Sequence, residues 1–276
     1  MNRLLVLFSV ALAAGCRTGT LPDPNNPADR RVTPEVLRKN LQAVSDSLIE
    51  RRMKGEFDNA EYRDLLAKAA TELVKEYNLK TIDPGDAWEY GEVLRAARNW
   101  SGAKEVLEIA VNDAKATRNE DRRVNDTLRL AEAMAHLGQV QESINIASEV
   151  LNARATDSAP ILMAVFYEIA PVARGKSHDA ELASLLEAAI DKHMATQVDV
   201  DTQAGRDFMA ARAYHISAAY HLLTELYISL EDPKKAQQSK DRARRATLDI
   251  DGFSRDTRQR LGDGRTTPPL AGQSRL

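Results

Sequence analysis

The most reactive side chains of this 276-residue chain are few: one cysteine, Cys16, and five histidines, His136, His178, His193, His215 and His221. A lone cysteine can form neither an intramolecular disulfide nor a multi-cysteine metal site. What remains open to it is acylation, or reaction with another molecule. The histidines form no His-Glu-x-x-His pair, and His215 and His221 stand six apart, on different sides of a helix. No Gly-x-Ser-x-Gly elbow, phosphate-binding glycine loop or dinucleotide fingerprint occurs. Carboxylates are many, but spacing does not sort them into a pair for glycoside chemistry. The sequence therefore assigns no catalytic residue, no metal site and no cofactor.

The surroundings of Cys16 give it a role. Arg3 supplies a short positive start, and Leu4 to Ala14 is an uncharged, mostly apolar run of eleven residues. That is too short to span a bilayer as a helix, which needs ~20 residues, but it has the proportions of a secretory signal. Ala13-Ala14-Gly15-Cys16 follows directly. This resembles the lipobox of bacterial lipoproteins, with Ala13 where leucine is commonest. The resemblance implies that 1–15 is a signal peptide, that Cys16 is lipidated, and that residues 16–32, with three prolines, are a flexible tether. Arg17 after the cysteine, rather than aspartate, implies the periplasmic side of an outer membrane. Contact with the membrane is expected through the lipid anchor alone.

Composition sets further limits. Apolar residues at 43% and charged residues at 29% suit a globular domain and exclude wholesale disorder. With 38 basic against 41 acidic residues, the net charge of −3 offers no footprint for nucleic acid. The basic tract Lys240, Arg242, Arg244, Arg245 reads as a solvated helix face. Aromatics at 5%, with abundant alanine and leucine, favour closely packed helices over sheets. The fold class expected is all-α.

Helix starts are legible along the chain. Thr33-Pro34-Glu35 places a hydroxyl cap, a proline at the first helical position and an acid in the first turn. Asp58-Asn59-Ala60-Glu61 and Asp86-Ala87-Trp88-Glu89 read as capping boxes. Leu37, Leu41, Val44 and Leu48 form one apolar stripe, and Leu65, Leu66, Ala69, Leu73 and Val74 another. Together these predict a helix pair over 33–77, followed by further pairs up to 251, with 252–276 a disordered tail.

The later pairs resemble tetratricopeptide (TPR) repeats. In residues 84–117 the match rests on Gly91, Leu94, Trp100, Ala103 and Ala110; in 124–157 on Leu130, Ala131, Met134, Gly138 and Val140, with Ser143 replacing an alanine. Weaker copies at 161–194 and 217–250 contribute Tyr167, Gly175 and Ala180, then Tyr220, Leu223, Tyr227, Ala236 and Ala243. Pro171 should kink the first helix of its copy. Copies starting at 84, 124, 161 and 217 are spaced unevenly against the ~34 of the family, with Gln203 to Ala213 lengthening the last.

The resemblance implies an α-solenoid whose concave face is lined by the first helix of each pair, accepting a protein or peptide partner. Position by position it points Glu89, Glu92, Arg95, Asn125, Arg129, Glu132, His136, His221 and Glu225 toward that groove. Trp100 falls at a packing position, whereas Trp88 suits either packing or a binding site. The function expected is a non-catalytic, membrane-anchored interaction scaffold, with envelope assembly as its setting. A helical-repeat enzyme, a cell-wall-active accessory subunit and a structural homodimer are the alternatives.

Overall fold

A computed structural model describes residues 33–75, 82–153, 160–199 and 201–246. Cys16, the tether and the tail lie outside the described residues. Those described form helices and no strand. The helices are α1 (Pro34–Met53), α2 (Asn59–Val74), α3 (Ala87–Ala96), α4 (Trp100–Ala116), α5 (Glu120–His136) and α6 (Val140–Glu149). They continue with α7 (160–173), α8 (Asp179–Ala195), α9 (Gln203–Ser229) and α10 (233–246). Short turns fold them into antiparallel pairs, and each pair packs on the next. The fold is the all-α stack of helix pairs that the sequence predicts.

One turn design recurs, and local chemistry explains it. After α3, α4, α5 and α9 the chain enters the left-handed region at Arg98 (φ 56°), Arg118 (φ 55°), Gly138 (φ 80°) and Glu231 (φ 55°). The next amide then donates back to a carbonyl five residues earlier, Asn99 to Leu94, Asn119 to Ala114, Gln139 to Met134 and Asp232 to Tyr227, each at 2.9 Å. These are Schellman closures that satisfy carbonyls at a helix end. At three of the turns the following residue caps the next helix: Asn99 accepts from the Gly102 amide, Asn119 from Arg122 and Asp232 from Lys235, at 3.0–3.1 Å. One helix is thus stopped and the next started within three residues, which forces the antiparallel pairing.

Capping elsewhere follows the sequence at two sites and departs from it at a third. Thr33 accepts from the Val36 amide, and Asp58 accepts from Ala60 and Glu61. Asp86 makes no side-chain cap, because its backbone is already in the helical region (φ −97°, ψ −7°) and its carboxylate cannot reach over the first turn. Glu89, the other half of that expected box, is drawn instead to Arg38 of α1.

Packing positions agree with the small-residue pattern in three of the four copies. Gly91 is required by α4: a Cβ there would lie 2.5 Å from Leu107 Cδ2. Ala103 and Ala110 are fully buried. Ser143, where the repeat favours alanine, is buried and donates to the Ala131 carbonyl at 2.6 Å, which removes the cost of burying a hydroxyl. Tyr220, Leu223, Tyr227, Ala236 and Ala243 are all buried, and Ser217 of α9 donates to the Ala243 carbonyl of α10. The copy at 161–194 departs. Tyr167 and Ala180 are exposed, and Ala183 and Ala189 fill the small positions of α8.

Pro171 explains part of that departure. It lacks the amide hydrogen that an α-helix would use, and the turn before it, Ala164–Ile169, widens to a π-helix in which the Ala170 amide donates to Val165. The widened turn rotates the residues after it relative to a regular helix. In α9 the extra length predicted for the last pair is present, 27 residues in all. Its start depends on Gly205, where a Cβ would meet the Asp199 carbonyl oxygen at 1.9 Å.

Candidate functional site

The first helices of the first three pairs, α1, α3 and α5, meet along stripes of charge. On α3, Glu89, Glu92 and Arg95 recur every third residue; on α5, Arg122, Asp126, Arg129 and Glu132 recur every third or fourth. Helical spacing puts each set on one face, and the stacking of pairs turns the faces together. Arg38 of α1 pairs with Glu89, and Arg129 of α5 pairs with Glu92 of α3. Arg95 donates to Glu132 through Nε at 2.6 Å and to Glu92 at 3.1 Å. Arg129 also donates to Asp126 at 3.1 Å, and Arg122 joins Asp126 to Asp113 of α4.

Burial makes this more than a surface network. The side chains of Glu89, Glu92, Glu132 and Asp126 are 8%, 5%, 6% and 1% exposed, whereas Arg38 and Arg129 keep 27% and 22%. The carboxylates form the floor and two of the guanidiniums face outward. Burial works against the Glu92 charge, but Arg129, Arg95 and Arg38 outweigh it and hold that carboxyl below its ordinary value. Burial works against Arg95 too, yet Glu132 and Glu92 keep its guanidinium firmly protonated. At Asp126 burial prevails over Arg129 and Arg122, and its carboxyl is raised. Glu132 is pushed up to about 7 by burial, which Arg95 opposes and nearby Glu168 reinforces.

Where this network meets α1 there is a pocket of about 220 Å³, lined by Arg38, Leu41, Gln42, Trp88, Glu92 and Arg129. The Trp88 ring forms one wall. Arg38 lies 5.0 Å from its centroid and Arg129 6.0 Å, within cation–π range. That volume admits one or two side chains and is smaller than typical pockets for drug-sized ligands.

The residues assigned to the groove from sequence divide into three groups. Glu89, Glu92, Arg95, Arg129 and Glu132 are brought together, with the three acids buried in ion pairs rather than presented to solvent. Asn125 is half-buried on the same helix as Arg129, and His136, exposed at the end of α5, stacks on Trp100 with ring centroids 3.7 Å apart. His221 and Glu225 are exposed on α9, Glu225 paired with Arg174, and neither enters the network. Sequence reasoning missed Arg38, Asp126 and Arg122. The Arg122–Asp126–Arg129 spacing was a usable signal, whereas Arg38 lies outside the repeat copies and had none. Among the described residues no group of three or more His, Cys, Asp or Glu can hold a metal ion.

No family model matches the chain, and no curated protein matches it. Two solved structures are similar to it in backbone arrangement. One contains kinesin light chain TPR-like repeats from Podosopora anserina, 19% identical, covering 77% of this chain and 97% of that one at a TM-score of 0.43. The other is BtubC from P. vanneervenii, 16% identical, covering 86% and 96% at the same score. Both are likenesses of helical arrangement, and the reading of the site rests on the geometry above.

Proposed function

We propose that the protein is a lipid-anchored extracytoplasmic scaffold that holds a segment of a partner protein across the face of α1, α3 and α5. The observation that carries this reading is the pocket between those helices: an indole wall, an aliphatic floor at Leu41, and two guanidiniums fixed from behind by buried carboxylates. Anchors so held lose little freedom on binding, which favours recognition of one inserted side chain with polar contacts around it. Because both signs are present and largely paired, the partner fitted is a polar protein segment rather than nucleic acid. Attachment to the membrane rests on the Ala13-Ala14-Gly15-Cys16 motif and the signal-like run before it. No described helix is long and apolar enough to cross a membrane.

The test separates address from binding. In cells expressing the full chain, Cys16→Ser should abolish fatty-acid labelling and release the protein from carbonate-washed membranes. In the lipidated chain, Gln42→Trp should fill the pocket and remove the main partner captured by crosslinking, while Lys104→Trp on α4 leaves it. Equal labelling of Cys16→Ser and wild type would sink the anchor, and a partner retained by Gln42→Trp would sink the groove.

A further inference from the structure

The second large concavity lies outside the groove, at the ends of helices rather than along them. The N-terminal half of α9 runs past the last turns of α8 and α10, and the three enclose a cleft of about 650 Å³. Its floor is apolar: Ile216 and Ala246 are buried, and Met194 and Met209 flank them. Met194 is 38% exposed, a large apolar side chain left facing solvent. Its rim is cationic. Arg212, Arg242 and Arg245 line it against a single acid, Asp191.

That balance runs against the molecule as a whole, which carries a net charge of −3. Two of the three guanidiniums are held in place. Arg212 donates to the Met194 carbonyl, joining α9 to the last turn of α8, and Arg242 sits over the Tyr220 ring at 5.8 Å. Arg242 and Arg245 come from the basic tract that reads in sequence as a solvated face; both are exposed, but their three-residue spacing brings them together on the cleft side of α10. Methionine adapts its shape to different apolar partners more readily than branched side chains do. An apolar floor with adaptable side chains and a rim of arginines complements one chemistry in particular: leucine-like side chains alternating with carboxylates on one face of a helix.

We infer that this cleft is a second docking site, for an acidic amphipathic helix of a partner protein, independent of the groove on α1, α3 and α5. Carboxylates of the partner engage Arg212, Arg242 and Arg245 while its apolar side chains settle against Met194, Met209 and Ile216. The charge term makes the interaction sensitive to ionic strength.

The probe is a fluorescein-labelled 14-residue helix of leucine and glutamate, compared with its leucine–lysine counterpart. Each is titrated against the full chain and followed by fluorescence anisotropy. The acidic helix should bind at least tenfold more tightly than the basic one, weakening as salt rises from 50 to 500 mM. Arg242→Glu with Arg245→Glu should reverse that preference while the circular dichroism melt stays unchanged, because both side chains are exposed. Gln42→Trp, in the groove, should leave binding of the acidic helix as it is. Three results would overturn the inference: no preference for the acidic helix, a preference that survives the double charge reversal, or loss of binding in Gln42→Trp. A fourth concerns the source of the acid. Asp249 and Asp251 follow the cleft residues closely in sequence. If Asp249→Lys with Asp251→Lys raises affinity for the acidic helix tenfold or more, the chain's own segment competes for the cleft and a partner helix is not its primary occupant.

Discussion

Between α1, α3 and α5 successive helix pairs meet through guanidinium–carboxylate pairs, whereas α7, α8 and α9 meet through aliphatic side chains. Arg38–Glu89, Arg129–Glu92 and Arg95–Glu132 each join two helices in the first region. Ile169, Leu182, Leu186, Ile190, Leu223 and Leu226 fill the second, each fully buried. Apolar burial is strong but non-directional, while a buried ion pair is directional and contributes little net stability once desolvation is counted. The two halves use the same architecture for different ends. The C-terminal half is glued, and the N-terminal half is aligned, with fixed charges behind an open pocket.

The largest expected effect follows from removing one member of that alignment. Arg95→Ala leaves Glu92 and Glu132 buried without their shared cation and should cost about 3–5 kcal/mol, read from urea unfolding at neutral pH. Replacing Glu92, Arg95 and Glu132 together by leucine, methionine and leucine should cost far less, or even stabilise, because no charge is then left buried alone. A single substitution as harmless as the triple one would mean that the network is solvated and the contrast between halves is false.

That contrast was only half visible in the sequence. The charge stripes on α3 and α5 were legible because helical spacing is fixed, and they were assigned to one face correctly. Their burial was not legible, because it depends on how closely α1 approaches, and Arg38 sits in a helix that matches no repeat copy. The apolar half was legible through Leu223, Tyr227 and Ala243, but Tyr167 and Ala180 were placed in the core by a register that the π-turn before Pro171 displaces. A local backbone irregularity of this kind leaves the residue pattern intact while rotating where it points.

Titration should separate the halves. His193, on α8, is 3% exposed with neither ring nitrogen hydrogen-bonded, and burial, aided by His215 and Arg212, lowers its pKa to about 4. An unfolded histidine titrates near 6.5, so the unfolded chain binds the proton first, and stability falls as pH drops from ~6.5 to ~4. Glu132 runs the other way. Its folded pKa, raised to about 7, lies above the ~4.5 of an unfolded glutamate. Its contribution is therefore complete at low pH and is lost as pH rises from ~4.5 through ~7. Each limb amounts to up to ~3 kcal/mol at 1.36 kcal/mol per unit. Hydrogen exchange should show α8 and α9 loosening on the acid side and α3 and α5 loosening toward neutral. His193→Phe should flatten the first limb and Glu132→Gln the second; a single limb shared by both regions would refute the division.

Register can be tested with one bulky probe placed in each half. Ala103 is fully buried where α4 crosses its neighbours, so Ala103→Trp should cost about 1–3 kcal/mol or more. Ala180 on α8 is exposed, and Ala180→Trp should change stability by less than about 0.5 kcal/mol, although the repeat pattern puts both at small positions. Equal melting temperatures for the two variants would show that the π-turn does not displace the register of the later copy.

The smallest effect sharpens the comparison at the turns. Both ends of the molecule use the same Schellman closure, yet the left-handed position holds arginine after α3 and α4, glycine after α5, and glutamate after α9. A Cβ in that region crowds the following carbonyl and costs roughly 1–2 kcal/mol, which glycine avoids. Glycine loses more freedom on folding, which returns part of the gain. Arg118 is exposed at φ 55°, in a turn closed by the Asn119 amide and capped by the Asn119 side chain. Arg118→Gly should therefore stabilise by about 0.5–1 kcal/mol, and Gly138→Ala, at φ 80°, should destabilise by a similar amount. Arg98→Gly should gain less than Arg118→Gly, because Arg98 also pairs with Asp64 of α2 at 2.7 Å, a contact between exposed side chains that contributes up to ~1 kcal/mol. Thermal melts of the three variants give the order directly. If Arg98→Gly gains as much as Arg118→Gly, the Arg98–Asp64 pair does not help hold the first two helix pairs together, and their alignment rests on the buried ion network alone.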